Sequence, residues 1–183
     1  MQKNFTYKFA DTYSLKATSS SDCKINGYNM AQIDDISFGI VPIRRTADGT
    51  QVMLGKSKRY GHYLLPKGHR DEGESDIEAA VRELMEETGH RPTLFRTSTG
   101  EMTPNMNEAA AVETLTYTYQ GKDKTVNKSV VLYIAEVEQV TEIQHLDEVE
   151  SIDWFPTVPG TADLLHFENS KQHFLAHILP LIS

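Results

Sequence analysis

The sequence predicts an α/β fold in which a mixed central sheet carries helices on its faces. Three observations lead there. Short strand-like segments come first, one strongly marked helix follows over residues 75–88, and more strands and a closing helical pattern come after it. The 183 residues are 39% hydrophobic and 24% charged, which suits one compact domain with its own core. Neither a repeat nor a linker divides the chain, and Cys23, the single cysteine, has no partner for an internal disulfide.

Residues 1–34 are polar and irregular, with a Ser-rich run from Thr18 to Asp22, and read as an extension; the folded domain is expected over 35–183. Residues 36–43 and 51–55 read as strands joined by a turn at Ala47, Asp48 and Gly49, a hairpin signal. Residues 62–65 form a short strand ended by Pro66. The helix over 75–88 opens on a capping box, Ser75 with Glu78, and stops at Gly89. Its apolar stripe is read as Ile77, Val81, Leu84 and Thr88. Strands follow over 93–97, 113–119, 129–137 and 149–155, the third nearly continuous in Val, Leu, Tyr and Ile and therefore central. A last helix over 169–179 presents Phe174, Leu175 and Ile178 and ends at Pro180.

Composition excludes collagen-like and fully disordered chains. The longest aliphatic run, 130–135, falls far short of the roughly 18 residues a membrane span needs, and the N-terminus has no charged head before an apolar stretch. A cytoplasmic protein is expected, with the nucleus left open. The net charge of −8 argues against nucleic acid or an anionic membrane as partner, because the far field repels phosphates. A small phosphate-bearing substrate then needs local cations. Seven of the 18 Lys and Arg fall between positions 44 and 70 (Arg44, Arg45, Lys56, Lys58, Arg59, Lys67 and Arg70), and the acids concentrate after them over 71–87. Such a succession suits a site where cations hold an anion and carboxylates hold a metal, but charge counts alone favour a solvated surface of mixed sign.

Within the helix, Glu83, Glu86 and Glu87 are three and four residues apart and share a patch within about 100° of arc. Like charges at these spacings destabilise a helix by roughly 0.2–0.5 kcal/mol per pair unless a cation offsets them. Hard divalent ions such as Mg²⁺ or Mn²⁺ suit three carboxylates.

The surrounding run, GHRDEGESDIEAAVRELMEETGH from Gly68 to His90, resembles the Nudix box of the Nudix hydrolases. Gly68, Glu74, Arg82, Glu83, Leu84, Glu86, Glu87 and Gly89 all match, and His90 departs from the pattern at its final aliphatic position. The resemblance implies a Nudix-type α/β/α sandwich and an enzyme that cleaves a phosphoanhydride by water attack on phosphorus, with Mg²⁺ or Mn²⁺. It implies Glu83 and Glu87 as principal metal ligands and Gly68 as a carbonyl ligand. Glu86 would share metal binding or activate water, and Arg82 would pair with Glu74 or a ligand carboxylate.

Outside the box, Leu65 to His69, Lys128 to Val130, Ala135 to Val137 and Glu148 before Trp154 resemble the asymmetric diadenosine tetraphosphate hydrolases. By that resemblance Lys67 and Lys128 contact phosphates, Glu148 is a remote metal ligand or base, and Tyr117 or Tyr119 stacks a purine. His69 either bonds phosphate or caps its loop. The substrate expected is a diadenosine polyphosphate; a diphosphoinositol polyphosphate is the alternative, and a non-catalytic nucleotide-binding module the third reading. Trp154 is expected in the core, and the oligomeric state is not readable.

Overall fold

The computed structural model describes residues 23–25, 28–59, 61–121, 124–141 and 148–183; the Ser-rich run at 18–22 lies outside them. In chain order the elements are β1 (Cys23–Ile25), β2 (Tyr28–Thr46), β3 (Gly49–Ser57), β4 (Tyr63–Leu64), β5 (Lys67–Gly68) and α1 (Asp76–Thr88). They continue with β6 (His90–Arg96), β7 (Met102–Thr103), β8 (Leu115–Gln120), β9 (Lys124–Gln139), β10 (Val149–Pro156), α2 (Glu168–His173) and α3 (Leu179–Ile182). Single 3₁₀ turns occupy Met106–Glu108 and Pro159–Leu164, and a wider helical turn over Phe174–Ile178 joins α2 to α3. The sheet runs in the order β10-β3-β2-β9-β6-β7, with β4 on β3 and β5 on β2. This is the α/β architecture expected, helices on a mixed sheet.

The chain forms two compact units, one of Met1–Ile36 with Thr116–Ser129, the other of Ser37–Leu115 with Val130–Ser183. In the first, β1 pairs antiparallel with the start of β2, Cys23 opposite Met30. Its polar side chains are matched to one another: Lys128 Nζ sits 2.9 Å from Asp35, Asn127 donates to Asp34, and Thr118 to Asn127. These contacts explain why β2 starts at Tyr28 and not at residue 36. Its first half is held by ladder pairing and polar partners, so it carries no apolar periodicity to read.

In the second unit, β2 and β3 meet at Thr46 and Gly49 around the turn at Ala47 and Asp48, as the hairpin signal predicts. The core against α1 holds Phe38 and Ile40 of β2, Phe95 of β6, Tyr133 and Ala135 of β9, and Ala79, Ala80 and Leu84 of α1. Alternation along the strands turns Val41, Leu132 and Ile134 to the opposite face. The closing helical segment adds the buried Phe174, Ile178 and Ile182, while Leu175, read with the apolar stripe, is 41% exposed.

The helix α1 differs from expectation in which face it buries. Its fully covered residues are Ala79, Ala80, Leu84 and Thr88, while Ile77 and Val81 are only partly buried. Two alanines in the seam let the helix axis approach the sheet closely, and this rotates Glu83 and Glu87 toward the protein. Trp154 is likewise half-buried, not in the core: Arg44 lies 4.3 Å over its ring and His90 meets its edge at 6.0 Å. His90 is 5% exposed and bonds the Thr88 carbonyl through Nδ1 at 2.8 Å, so it fills its aliphatic position as a packed side chain. Among the described residues no helix is long and apolar enough to cross a membrane.

The capping box is formed in full: the Ser75 hydroxyl accepts from the Glu78 N–H, and the Glu78 carboxylate accepts from the Ser75 N–H at 2.8 Å. Ser75→Ala removes the acceptor and should lower stability by about 1 kcal/mol. Thermal melting should show a fall of roughly 2–4 °C for a chain of this length, and an unchanged midpoint would assign the start of the helix to packing alone.

Candidate active site

The box is assembled around Arg82. Its Nε donates to Glu74 at 2.8 Å, Nη1 to Glu83 at 2.8 Å and Glu86 at 3.1 Å, and Nη2 to the His69 carbonyl at 2.7 Å. One planar guanidinium thereby fixes the loop between β5 and α1 and the rotamers of two carboxylates. Bonding to Arg82 holds Glu74 below the usual carboxylate range, against the opposing effect of its own desolvation. The same contacts, Glu74 foremost, raise Arg82 above the ordinary arginine value. Arg70 closes the loop from outside through Asp76 at 2.8 Å.

On the other side of the carboxylates, β5 pairs with β2, Phe38 opposite Gly68 and Gly39 opposite Lys67. The Glu83 carboxylate, held by Arg82, lies where a Cβ on Gly68 would stand, so a larger residue there would have to displace it. The Lys67 N–H donates to Glu87 Oε2 at 3.2 Å. Burial pushes the Glu87 carboxyl up to about 8, the negative charges of Glu83 and Glu148 push the same way, and the Lys67 ammonium and N–H oppose them. Glu148 is exposed, at the foot of β10, and its carbonyl accepts from the Lys58 N–H at 2.9 Å.

The structure therefore brings Lys67, Gly68, Glu83, Glu87 and Glu148 together. It sets Glu86 on Arg82 at the edge of an open depression of about 370 Å³, also lined by Val81, Met85 and Met106. His69 is exposed and contributes its carbonyl to Arg82. Lys128, Tyr117 and Tyr119 belong to the other unit, where Lys128 pairs with Asp35 and the two tyrosine rings are 6.3 Å apart.

Three aromatic residues absent from the sequence reading cluster within the second unit. His62 and His166 stack at 4.4 Å with planes 24° apart, and Phe167 meets the edge of His166 at 4.4 Å. A parallel bridge between Tyr63 and Leu165 and the bond from the His166 N–H to the Tyr63 carbonyl hold this stack in place. Burial, then neighbouring His62, keeps the His166 imidazole below its usual range and neutral at pH 7.

The donor set fits a hard divalent cation. Glu83 and Glu87 offer carboxylate oxygens, Gly68 lets one of them lie against the β5 backbone, and the Glu87 charge is poorly offset by the groups around it. Among the described residues no three such side chains meet in a ready coordination geometry, since Arg82 draws Glu83 and Glu86 to itself.

The NUDIX domain model matches residues 35–175, which hold every box residue in this arrangement. The chain belongs to the NUDIX domain family. It is 30% identical over 141 residues to the rat asymmetrical bis(5′-nucleosyl)-tetraphosphatase, covering 73% of this chain and 86% of that one. A putative 8-oxo-dGTP diphosphatase of Bacillus subtilis is 47% identical over 47 residues, covering 26% of this chain and 32% of its own. Among solved structures, the MutT NUDIX hydrolase from Burkholderia pseudomallei shares the fold at a TM-score of 0.54 and 18% identity, covering 82% of this chain and 98% of that one. As a NUDIX enzyme the protein is a pyrophosphohydrolase acting on phosphorus-containing anhydrides.

The raised Glu87 carboxyl of this NUDIX hydrolase sets a pH dependence of stability. Between the ordinary carboxylate range and about 8 the folded chain holds a proton that the unfolded chain has released. Stability of the metal-free protein must therefore fall as pH rises through that window. Glu87→Gln removes the penalty and should stabilise the metal-free protein at pH 8 by an amount on the order of 4 kcal/mol, with the difference vanishing near pH 4. Melting curves in chelator at the two pH values test this, and destabilisation at pH 8 would contradict it.

Proposed function

We propose that this NUDIX hydrolase is metal-dependent and that its substrate is a dinucleoside polyphosphate of the diadenosine type. The observation that carries the reading is the stack of His62, His166 and Phe167 on the unit that holds the acidic site. The loop entering β4 links the two: the Ser57 N–H donates to the His62 carbonyl, and the Lys58 N–H to the Glu148 carbonyl. A neutral imidazole flanked by rings offers a flat face to a purine, worth roughly 1–3 kcal/mol per stacked base. The likeness to the rat tetraphosphatase over most of both chains supports the same substrate class.

In this reading Glu83 and Glu87 would hold Mg²⁺ or Mn²⁺, with Gly68 letting the Glu83 carboxylate lie against β5. A divalent ion held there would supply charge neutralisation at the phosphoryl oxygens. Arg82 keeps Glu83 and Glu86 oriented. Lys67 balances a phosphoryl charge beside Glu87, and Lys58 and Arg59 follow β3 in the loop that leads to His62. Glu148, exposed next to Glu87, takes the proton from the attacking water, with Glu86 as the other candidate base. His69 reaches phosphate from the loop. Lys128 and the tyrosines Tyr117 and Tyr119 are the second candidate set for phosphate and base. A cytoplasmic location accords with such a substrate.

A diphosphoinositol polyphosphate is disfavoured by the disposition of the cations. Arg44 bonds Gln51 and covers Trp154, while Arg45, Lys56 and Arg70 pair with Glu136, Glu150 and Asp76. Four of the seven cations that would hold a densely charged inositol are thus held by partners of their own.

Incubation with Mg²⁺ and diadenosine tetraphosphate should release mononucleotides, and excess chelator should abolish turnover. Glu83→Gln should lower kcat by about 10² or more. His166→Ala should raise KM for the dinucleotide about tenfold and leave diphosphoinositol cleavage unchanged. Full activity in chelator would overturn metal dependence. Loss with Tyr117→Leu or Tyr119→Leu but not with His166→Ala would move the base to the other unit.

A further inference from the structure

We propose that Gly39, in the middle of β2, is a positioning residue that sets the depth at which β5 presents Lys67 and Gly68 to the acidic site. Gly39 lies opposite Lys67 in the ladder. A Cβ added there would overlap the Pro66 carbonyl oxygen and stand 2.7 Å from the Lys67 Cβ. Neither atom can swing aside as the end of a flexible side chain does. Gly39 has no positive φ, so its role is close approach and not an unusual backbone conformation.

The only ladder partner of the two-residue β5 among the described residues is β2, and its Lys67 N–H, free of that ladder, turns to Glu87 of α1. Pushing β5 off β2 therefore drives it toward Glu83 and Glu87. Gly68 already has no room for a methyl group beside Glu83, and the bond from the Lys67 N–H to Glu87 is already long at 3.2 Å. A shift of a few tenths of an ångström at Gly39 thus reaches both carboxylates through one backbone segment. Gly55, also a strand glycine, provides the contrast: its Cβ would meet only Val149 Cγ1 at 3.7 Å and the Leu64 carbonyl at 4.0 Å, ordinary contacts.

The inference rests on the reading of Glu83 and Glu87 as ligands for a divalent ion, and the test separates the two. In metal-free Gly39→Ala, the amide resonances of Lys67 and Gly68 should move while those of Val52 and Met53 in β3 stay in place. The Mg²⁺ concentration for half-maximal activity should rise about tenfold or more, with KM for substrate within about threefold of wild type. Gly55→Ala should match wild type in all three readouts. A second measurement leaves Gly39 intact: Glu87→Gln should shift the amide resonances of Lys67, Gly68 and Gly39 and leave Gly55 unmoved. Wild-type protein that needs no metal would sink the ligand reading, while the amide shifts would still judge Gly39. Unmoved Lys67 and Gly68 amides with unchanged Mg²⁺ response in Gly39→Ala would overturn the positioning role. So would a Gly39→Ala protein that fails to fold while Gly55→Ala folds, since Gly39 would then serve the core alone.

Discussion

The carboxylate of Glu87 is held in a poorly hydrated seam between α1 and β5, with Glu83 and Glu148 of the same sign nearby. A buried carboxylate among like charges is unstable unless it takes a proton or a cation. Much of the surrounding structure acts to place that charge and to keep it from being neutralised within the chain. Lys67 supplies an N–H and a positive charge, enough to tether Glu87 without cancelling it. Arg82, the strongest cation nearby, is occupied by Glu74, Glu83, Glu86 and the His69 carbonyl. On the proposed reading that remaining unfavourable energy would go to a divalent ion, so the instability of the metal-free site and its affinity for metal would have one origin.

Small residues create the seam. Ala79 and Ala80 let α1 lie close to the sheet, Gly39 lets β5 lie close to β2, and Gly68 lets the Glu83 carboxylate lie against the β5 backbone. Each close approach brings a polar group where a larger side chain would have separated it from its neighbour. The capping box at Ser75 and the left-handed Gly89, whose N–H returns to the Met85 carbonyl at 2.8 Å, fix the two ends of the helix that spans the seam.

The charged residues of the site were legible because the chemistry needs particular side chains at fixed spacing within one helix and its leading loop. Helix α1, its caps and the 46–49 hairpin were legible for the same reason, since each rests on contacts between near neighbours in sequence. What escaped depended on contacts between distant segments. Ala79 and Ala80 look neutral in a hydrophobic pattern, yet they form the buried face, because closeness to the sheet depends on small size. The stack of His62 on His166 joins residues far apart in the chain, and no local spacing signals it. The early start of β2 was hidden because Asp34 and Asp35 meet partners on β9 instead of an apolar core. A lone glycine between Phe38 and Ile40 was the one available sign that a backbone passes close to β2 there.

Whether Glu83 and Glu87 form a cation site that the rest of the fold holds ready can be read by counting bound ions. Titrating Mn²⁺ into the metal-free protein at pH 7.5 and following the free-ion signal by electron paramagnetic resonance measures occupancy without any substrate. The wild-type chain should bind Mn²⁺ saturably, and Glu87→Gln should weaken that binding at least tenfold with the fold intact. Equal Mn²⁺ binding by wild type and Glu87→Gln would contradict it.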